Sequence, residues 1–160
     1  MSNAERDIPG VIARPPLIFL GAVVAGLALD WLVPLPFASG GLGGAFQYWL
    51  GGALIVAGLA AAATAVWQFH RAGTNAPTWR PTTALVTDGL YRYSRNPIYL
   101  AMSVSFLGIA IAVNTLWLLI MLVPTLLIMH RGVILREERY LEAKFGDAYR
   151  RYTAAVRRWL

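Results

Sequence analysis

Few residues in this chain can do chemistry, and their scarcity is informative. There is no cysteine and there are two histidines, His70 and His130, which removes disulfides, thiolate nucleophiles and Cys-ligated metals, so no metal site is expected. What remains is a short set of acids, bases and aromatics. Glu137 and Glu138 stand side by side within Arg136-Glu-Glu-Arg139. Adjacent carboxylates hold a cation well, or simply balance nearby arginines at helical spacings of three and four. Arg95-Asn-Pro-Ile-Tyr99 offers a guanidinium and a phenol at the start of an apolar run. Arg95, Arg131 and Arg136 are suited to an anionic group on a ligand. His130 is the titratable group near these residues whose ordinary pKa suits a proton shuttle, although a helix-end or interfacial role serves it equally. Asp30 lies inside an apolar run, where a carboxylate is expensive; beside Trp31, Pro34 and Pro36 it is assigned a local role at the membrane interface.

These side chains must be positioned by elements that avoid water. Of the 160 residues, 58% are hydrophobic and 14% charged, against roughly a quarter charged in a soluble domain. Four apolar stretches, Leu17 to Val33, Phe46 to Phe69, Pro97 to Val113 and Thr115 to Met129, read as membrane helices. None is flanked like a cleaved signal peptide. The last two are short and separated by Asn114 alone, which demands a tight hairpin, with Pro124 a kink point. The expected fold is therefore all-α, a single polytopic unit over residues 1–160. Residues 17–72 form its two N-terminal helices, and residues 73–160 the loop, the hairpin and a C-terminal amphipathic helix. Small residues at helical spacing, Gly51, Gly58 and Ala62 in the second span and Gly21 and Ala25 in the first, are assigned to close helix packing.

Charge sets the orientation. Arg6 and Arg14 precede the first span, Arg71, Arg80, Arg92 and Arg95 follow the second, and the remaining eight basic residues follow Met129, while residues 34–45 have none. This places both termini and the middle loop in the cytoplasm, with a bacterial inner membrane the expected location. The net charge of +6 is dispersed among apolar runs, so nucleic acid is not an expected partner and membrane lipid is.

The cytoplasmic segments hold the remaining information. Ile134, Glu138, Leu141, Phe145, Tyr149, Tyr152, Val156 and Trp159 recur at gaps of three and four, an apolar helical face with basic residues opposite, as in a helix lying on an anionic leaflet. Gly146-Asp147 is a break point, and Glu138 is the acidic exception on the stripe. Residues 73–96 are too many for a bare connection. Tyr91, Tyr93 and Tyr99 suit either a binding pocket or an aromatic interfacial belt with Arg92 and Arg95 as its phosphate anchors.

Taken in order, Thr83-Ala-Leu-Val-Thr-Asp-Gly-Leu-Tyr91, Arg95-Asn-Pro-Ile-Tyr99 opening a hairpin, and Arg136-Glu-Glu-Arg-Tyr-Leu-Glu-Ala-Lys-Phe-Gly-Asp147 resemble the isoprenylcysteine carboxyl methyltransferase and phospholipid methyltransferase superfamily of integral membrane enzymes. The resemblance covers about residues 73 to 157. It implies methyl transfer from S-adenosylmethionine at the cytoplasmic face to a lipophilic acceptor: a lipid amine, a carboxylate or a thiol. It also implies that Thr83, Ala84, Leu85, Val86 and Tyr91 line the cofactor pocket, that Asn96, Pro97, Ile98 and Tyr99 add contacts at the hairpin, and that Glu137 faces the methionyl end. The helical stripe points instead to Glu138, and both acids are retained as cofactor ligands. His130, Arg95 and Arg136 are the candidates for catalysis. Asn96, Ala101 and Val133 stand where the prenylcysteine branch has His, Gly and a basic residue, which argues against a prenylcysteine acceptor. Two other readings stand beside this one. A membrane sterol reductase has a similar hairpin and would bind NADPH, and a lipid-gripping scaffold would need no chemistry.

Overall fold

The computed structural model describes residues 7–38, 44–76 and 78–160. Arg6 and part of the 34–45 connection thus lie outside the described residues. Those residues form helices and loops with no strand among them. The first helix, α1 (Pro15–Leu32), opens on Pro15-Pro16, where the missing amide donor costs nothing. It is followed by α2 (Ala45–Arg71), a 3-10 turn at Gly89–Arg92, α3 (Pro97–Val113), α4 (Leu116–Met129), a π-helical turn at His130–Ile134, α5 (Leu135–Phe145) and α6 (Asp147–Ala155).

Three helices are long and apolar enough to cross a membrane: Pro15–Leu32, Ala45–Arg71 and a continuous Leu116–Phe145. Pro97–Val113 is a shorter apolar helix. The fourth stretch therefore does not end at Met129. Helical backbone runs straight on through the π-turn into α5 because hydrogen bonding along the axis is indifferent to the change from apolar to charged side chains. His130 consequently sits in mid-helix rather than at a helix end.

The hairpin turns on Asn114, which takes a left-handed φ of 52°, a conformation that asparagine tolerates better than most residues. Thr115 then caps α4 by accepting from the Trp117 amide. Asp30 fastens α1 to this corner. Its Oδ1 accepts from the Thr115 hydroxyl at 2.7 Å and from the Leu35 amide at 3.1 Å, and the Trp117 indole donates to the Val33 carbonyl.

α2 and α3 form the most extensive helix pair, and glycine is the reason. A Cβ at Gly51 would lie 2.6 Å from the Gly108 carbonyl oxygen, and one at Gly108 would lie 2.7 Å from that of Gly51; at Gly58 it would collide with Ser105 and with the Ala101 carbonyl. In α1 the expected pair is displaced. Gly21 has nothing within 4 Å and Ala25 is exposed, whereas Gly26 is the buried position, against Leu118. The core between the helices holds Phe19, Phe106, Leu118, Met129, Val133 and Ile134, with Phe19 and Phe106 edge to face at 6.2 Å. Gly58→Leu is expected to lower the thermal midpoint in detergent markedly, the overpacking costing about 1–3 kcal/mol. Gly52→Leu, in the same helix with nothing within 4 Å of its Cβ position, should leave the midpoint within a degree or two of wild type.

The chain before α1 is a strap laid across α5. Asp7 meets the Lys144 ammonium at 2.5 and 2.7 Å, the Arg136 guanidinium donates to the Gly10 carbonyl, and the Ile12 amide donates to that of Gly132. The C-terminal stripe does not form one helix facing lipid. Gly146, at φ 52°, divides it, and the turn swings α6 so that Tyr149 and Tyr152 are buried against the middle loop. Their phenols would otherwise have to be matched in hydrocarbon.

Candidate functional site

Four segments meet at one end of the bundle and leave a cavity between them. Residues 75, 76 and 78–86 of the loop, the start of α3, α5 and α6 supply its walls, and Pro9 of the strap adds an edge. The space between them, counted together with the open solvent at its mouth, is about 800 Å³. Its floor is a small apolar cluster of Ala65, Val86 and Tyr91 backed by Phe69 and Ile98, with Phe69 and Tyr91 edge to face at 5.2 Å.

The loop keeps its shape through side chains that replace missing ladder bonds. Thr74 accepts from the amides of Thr83 and Ala84, Asn75 donates to the Pro81 carbonyl, and Gln68 accepts from the Leu90 amide. Gly89 lies against that Gln68 amide group at φ 57°, so no side chain fits there. Tyr140 of α5 ties the walls together: its hydroxyl accepts from the Thr82 amide and lies 3.1 Å from Asp7.

The two adjacent acids are brought into the wall with different partners. Glu137 Oε1 accepts from the Tyr99 hydroxyl at 2.6 Å, which joins α5 to the first turn of α3. Among the described residues no arginine or lysine forms an ion pair with Glu137. Glu138 is neutralised twice, by Arg95 at 3.2 Å and by a two-pronged contact from Arg158 at 2.8 Å on each oxygen. The same corner is closed by backbone. The Arg158 carbonyl accepts from the Asn96 amide group and the Ser94 hydroxyl, and the Arg95 amide donates to the Arg157 carbonyl.

Three tyrosines outside the spanning helices contribute hydroxyls. Burial raises the Tyr91 phenol, with Glu137 and Tyr152 adding to the effect. It also pushes Tyr149 up to about 12, with the charge of Glu138 adding to it and Arg95 opposing, and it raises Tyr152, with Tyr149 adding. All three remain hydrogen-bond donors at any ordinary pH. Tyr152 uses its proton on the Tyr91 carbonyl at 2.7 Å. Among the described residues, two buried polar atoms in the lining have no partner, the Thr78 hydroxyl and Arg95 Nε. Orphaned groups of this kind in a cavity wall are the places where a ligand would bond.

Most of the residues singled out from sequence converge here. Ala84, Leu85, Val86, Tyr91, Asn96, Ile98 and Tyr99 line the cavity, as do Arg95, Glu137 and Glu138. Four do not. Thr83 is exposed, its hydroxyl drawn away from the cavity to donate to the Gly73 carbonyl. Pro97 is buried as the first residue of α3. His130 lies within the π-turn, off the lining. Arg136 is exposed on the flank of α5 away from the cavity, about 100° around the helix from Glu137. Sequence reasoning missed Thr78, Tyr140, Tyr149, Tyr152 and Arg158. The tyrosines carried a signal, since phenols spaced along an otherwise apolar stripe need polar partners that lipid cannot give.

Comparison with known proteins adds a name to this geometry. A 35-residue stretch is 60% identical to an uncharacterized protein of Haemophilus influenzae, covering 22% of this chain and 56% of that protein, so the chain spans little more than half the length of that relative. No solved structure matches. The model of the phospholipid methyltransferase family matches residues 46–148, a stretch running from α2 through the loop, hairpin and α5 into α6, and the chain therefore belongs to the phospholipid methyltransferase family.

Proposed function

We propose that this protein is an S-adenosylmethionine-dependent methyltransferase that works at the cytoplasmic face of a bacterial inner membrane, both termini on that side, on an acceptor drawn from the lipid phase. Residues 1–160 act as one unit in this reading, with 17–72 as its membrane base and 73–160 as its working part. One observation carries the reading: a carboxylate in the cavity wall, Glu137, is held in place by Tyr99 and has no cation against it among the described residues. The cofactor brings two positive charges, an ammonium and a sulfonium, and would supply an electrophilic methyl group. A dinucleotide phosphate brings the opposite charge and would meet repulsion there, which disfavours the reductase alternative.

The residues present fit that group. Glu137 would hold the ammonium, the apolar surface of Leu85, Val86 and Ile98 would take the adenine, and the unpartnered Thr78 hydroxyl would bond a sugar hydroxyl. The faces of Tyr91 and Tyr149 are the π surfaces available to a sulfonium. The Arg95 guanidinium, with Nε unpartnered, would fix an anionic group of the acceptor or of the methionyl tail. Bound there, the cofactor would offer its methyl group to an acceptor atom aligned by these residues, and a wall that excludes water would favour transfer to a carboxylate or thiolate. A lipid ammonium would first have to give up its proton, leaving a neutral amine as the acceptor.

The test is ligand-dependent thermal shift in detergent, with S-adenosylhomocysteine and NADPH in parallel, followed by transfer of a labelled methyl group to total lipid extract and mass identification of the product. Stabilisation by the thioether nucleoside alone is expected; stabilisation by NADPH alone, or by neither, overturns the reading. Arg95→Ala is expected to lower labelled-methyl turnover by about tenfold to a hundredfold with topology unchanged, and normal turnover would remove Arg95 from the site.

A further inference from the structure

A second surface lies where the end of α4 runs into α5, separate from the cavity, and nothing in the reaction uses it. Leu127 and Ile128 are exposed on the outer face of α4. Directly beyond them a shallow groove is lined by Ile12, Gly132, Arg131 and Arg136. In a regular α-helix Arg131 and Arg136 would be turned roughly 140° apart. The intervening π-turn, with hydrogen bonds spanning five residues, brings positions five apart back towards one side. Gly132 lets the strap close the groove: Ile12 occupies the space that a side chain at 132 would need. Among the described residues neither arginine is paired with a carboxylate, and Arg136 bonds only to the Gly10 carbonyl.

We infer that this groove is a binding site for an anionic phospholipid, its acyl chain lying along Leu127 and Ile128 and its phosphodiester held between Arg131 and Arg136. The position argues for a lipid rather than a soluble anion. Arg131 stands about one turn and Arg136 about two turns beyond Ile128, the last exposed apolar residue of α4, an interval that covers the level of headgroup phosphates. The π-turn and Gly132 together shape a concave seat in place of a convex helix surface. The lipid here is a resident partner and not the methyl acceptor, since the groove and the cavity have no lining residue in common and Glu137 is turned about 100° around α5 from Arg136.

The experiment is native mass spectrometry of the full chain released from mixed vesicles of phosphatidylglycerol and phosphatidylcholine in equal amounts. Wild type is expected to retain one phosphatidylglycerol with roughly tenfold or greater preference, on the usual strength of two juxtamembrane arginines. R131Q/R136Q should lose that preference, whereas R131K/R136K and the equal-charge control R139Q/R151Q should retain it. Equal retention of both lipids by wild type, or equal loss in the control pair, would overturn the assignment. Monodispersity of each variant by size exclusion separates lost lipid from lost fold. The lipid readout requires no cofactor, so it stands or falls apart from the cavity's function.

Discussion

Glu137→Ala is expected to abolish measurable binding of S-adenosylhomocysteine, an affinity loss of about 30-fold to 5,000-fold, in a protein that still inserts and runs as a single species. The size follows from the setting. Removing one partner of a desolvated, hydrogen-bonded charge pair costs about 2–5 kcal/mol, and Glu137 is the wall carboxylate without an arginine against it. Glu137→Gln keeps the shape and a hydrogen-bond acceptor for Tyr99 but loses the charge, so most of the effect should remain. Tyr99→Phe removes the donor at 2.6 Å and should cost only about 1 kcal/mol, near fivefold. Calorimetry on the purified variants reads all three, and an unchanged affinity for the alanine variant would end the role given to this residue.

The neighbouring acid should behave differently. Glu138→Ala is expected to act on stability first, because it leaves two guanidiniums facing each other in a corner where Arg95 and Glu138 side chains are only 15% and 17% exposed. Breaking a buried ionic cluster from one side costs about 3–5 kcal/mol, so the thermal midpoint in detergent should fall by several degrees even without ligand. Arg158→Ala should be milder, its side chain being a third exposed. Combining the two substitutions should cost less than their sum, since the second removes a charge that the first had stranded. A midpoint equal to wild type in Glu138→Ala would show that the corner is held instead by the Asn96 and Ser94 side chains donating to the Arg158 carbonyl.

Hydropathy alone made the membrane helices readable, and the Asn114 turn followed from two apolar runs with one residue between them. Three features were beyond its reach for physical reasons. The continuation of α4 into α5 was hidden because a hydropathy run stops where polar side chains start, whereas helical backbone does not. The π-turn at His130–Ile134, where Ile12 packs against Gly132 from 120 positions away, has no hydropathy signature of its own. Periodicity put Glu138 on the stripe, where it is paired with arginine, and could not separate it from Glu137. The apolar stripe from Ile134 to Trp159 is divided between α5 and α6 and runs past the end of α6 at Ala155, and it was silent about what covers it. Tyr149 and Tyr152 turn towards the loop because Gly146 redirects the backbone there.

The strap across α5 has a consequence for how the molecule is made. Asp7 and its partner Lys144 are 137 positions apart, and at about 5–20 residues per second the ribosome delivers the second roughly 7–27 s after the first. During that interval the spanning segments can already be inserted while the cavity has neither its rim nor its acidic wall. The cavity is therefore completed only when α5 has emerged and docked against the strap.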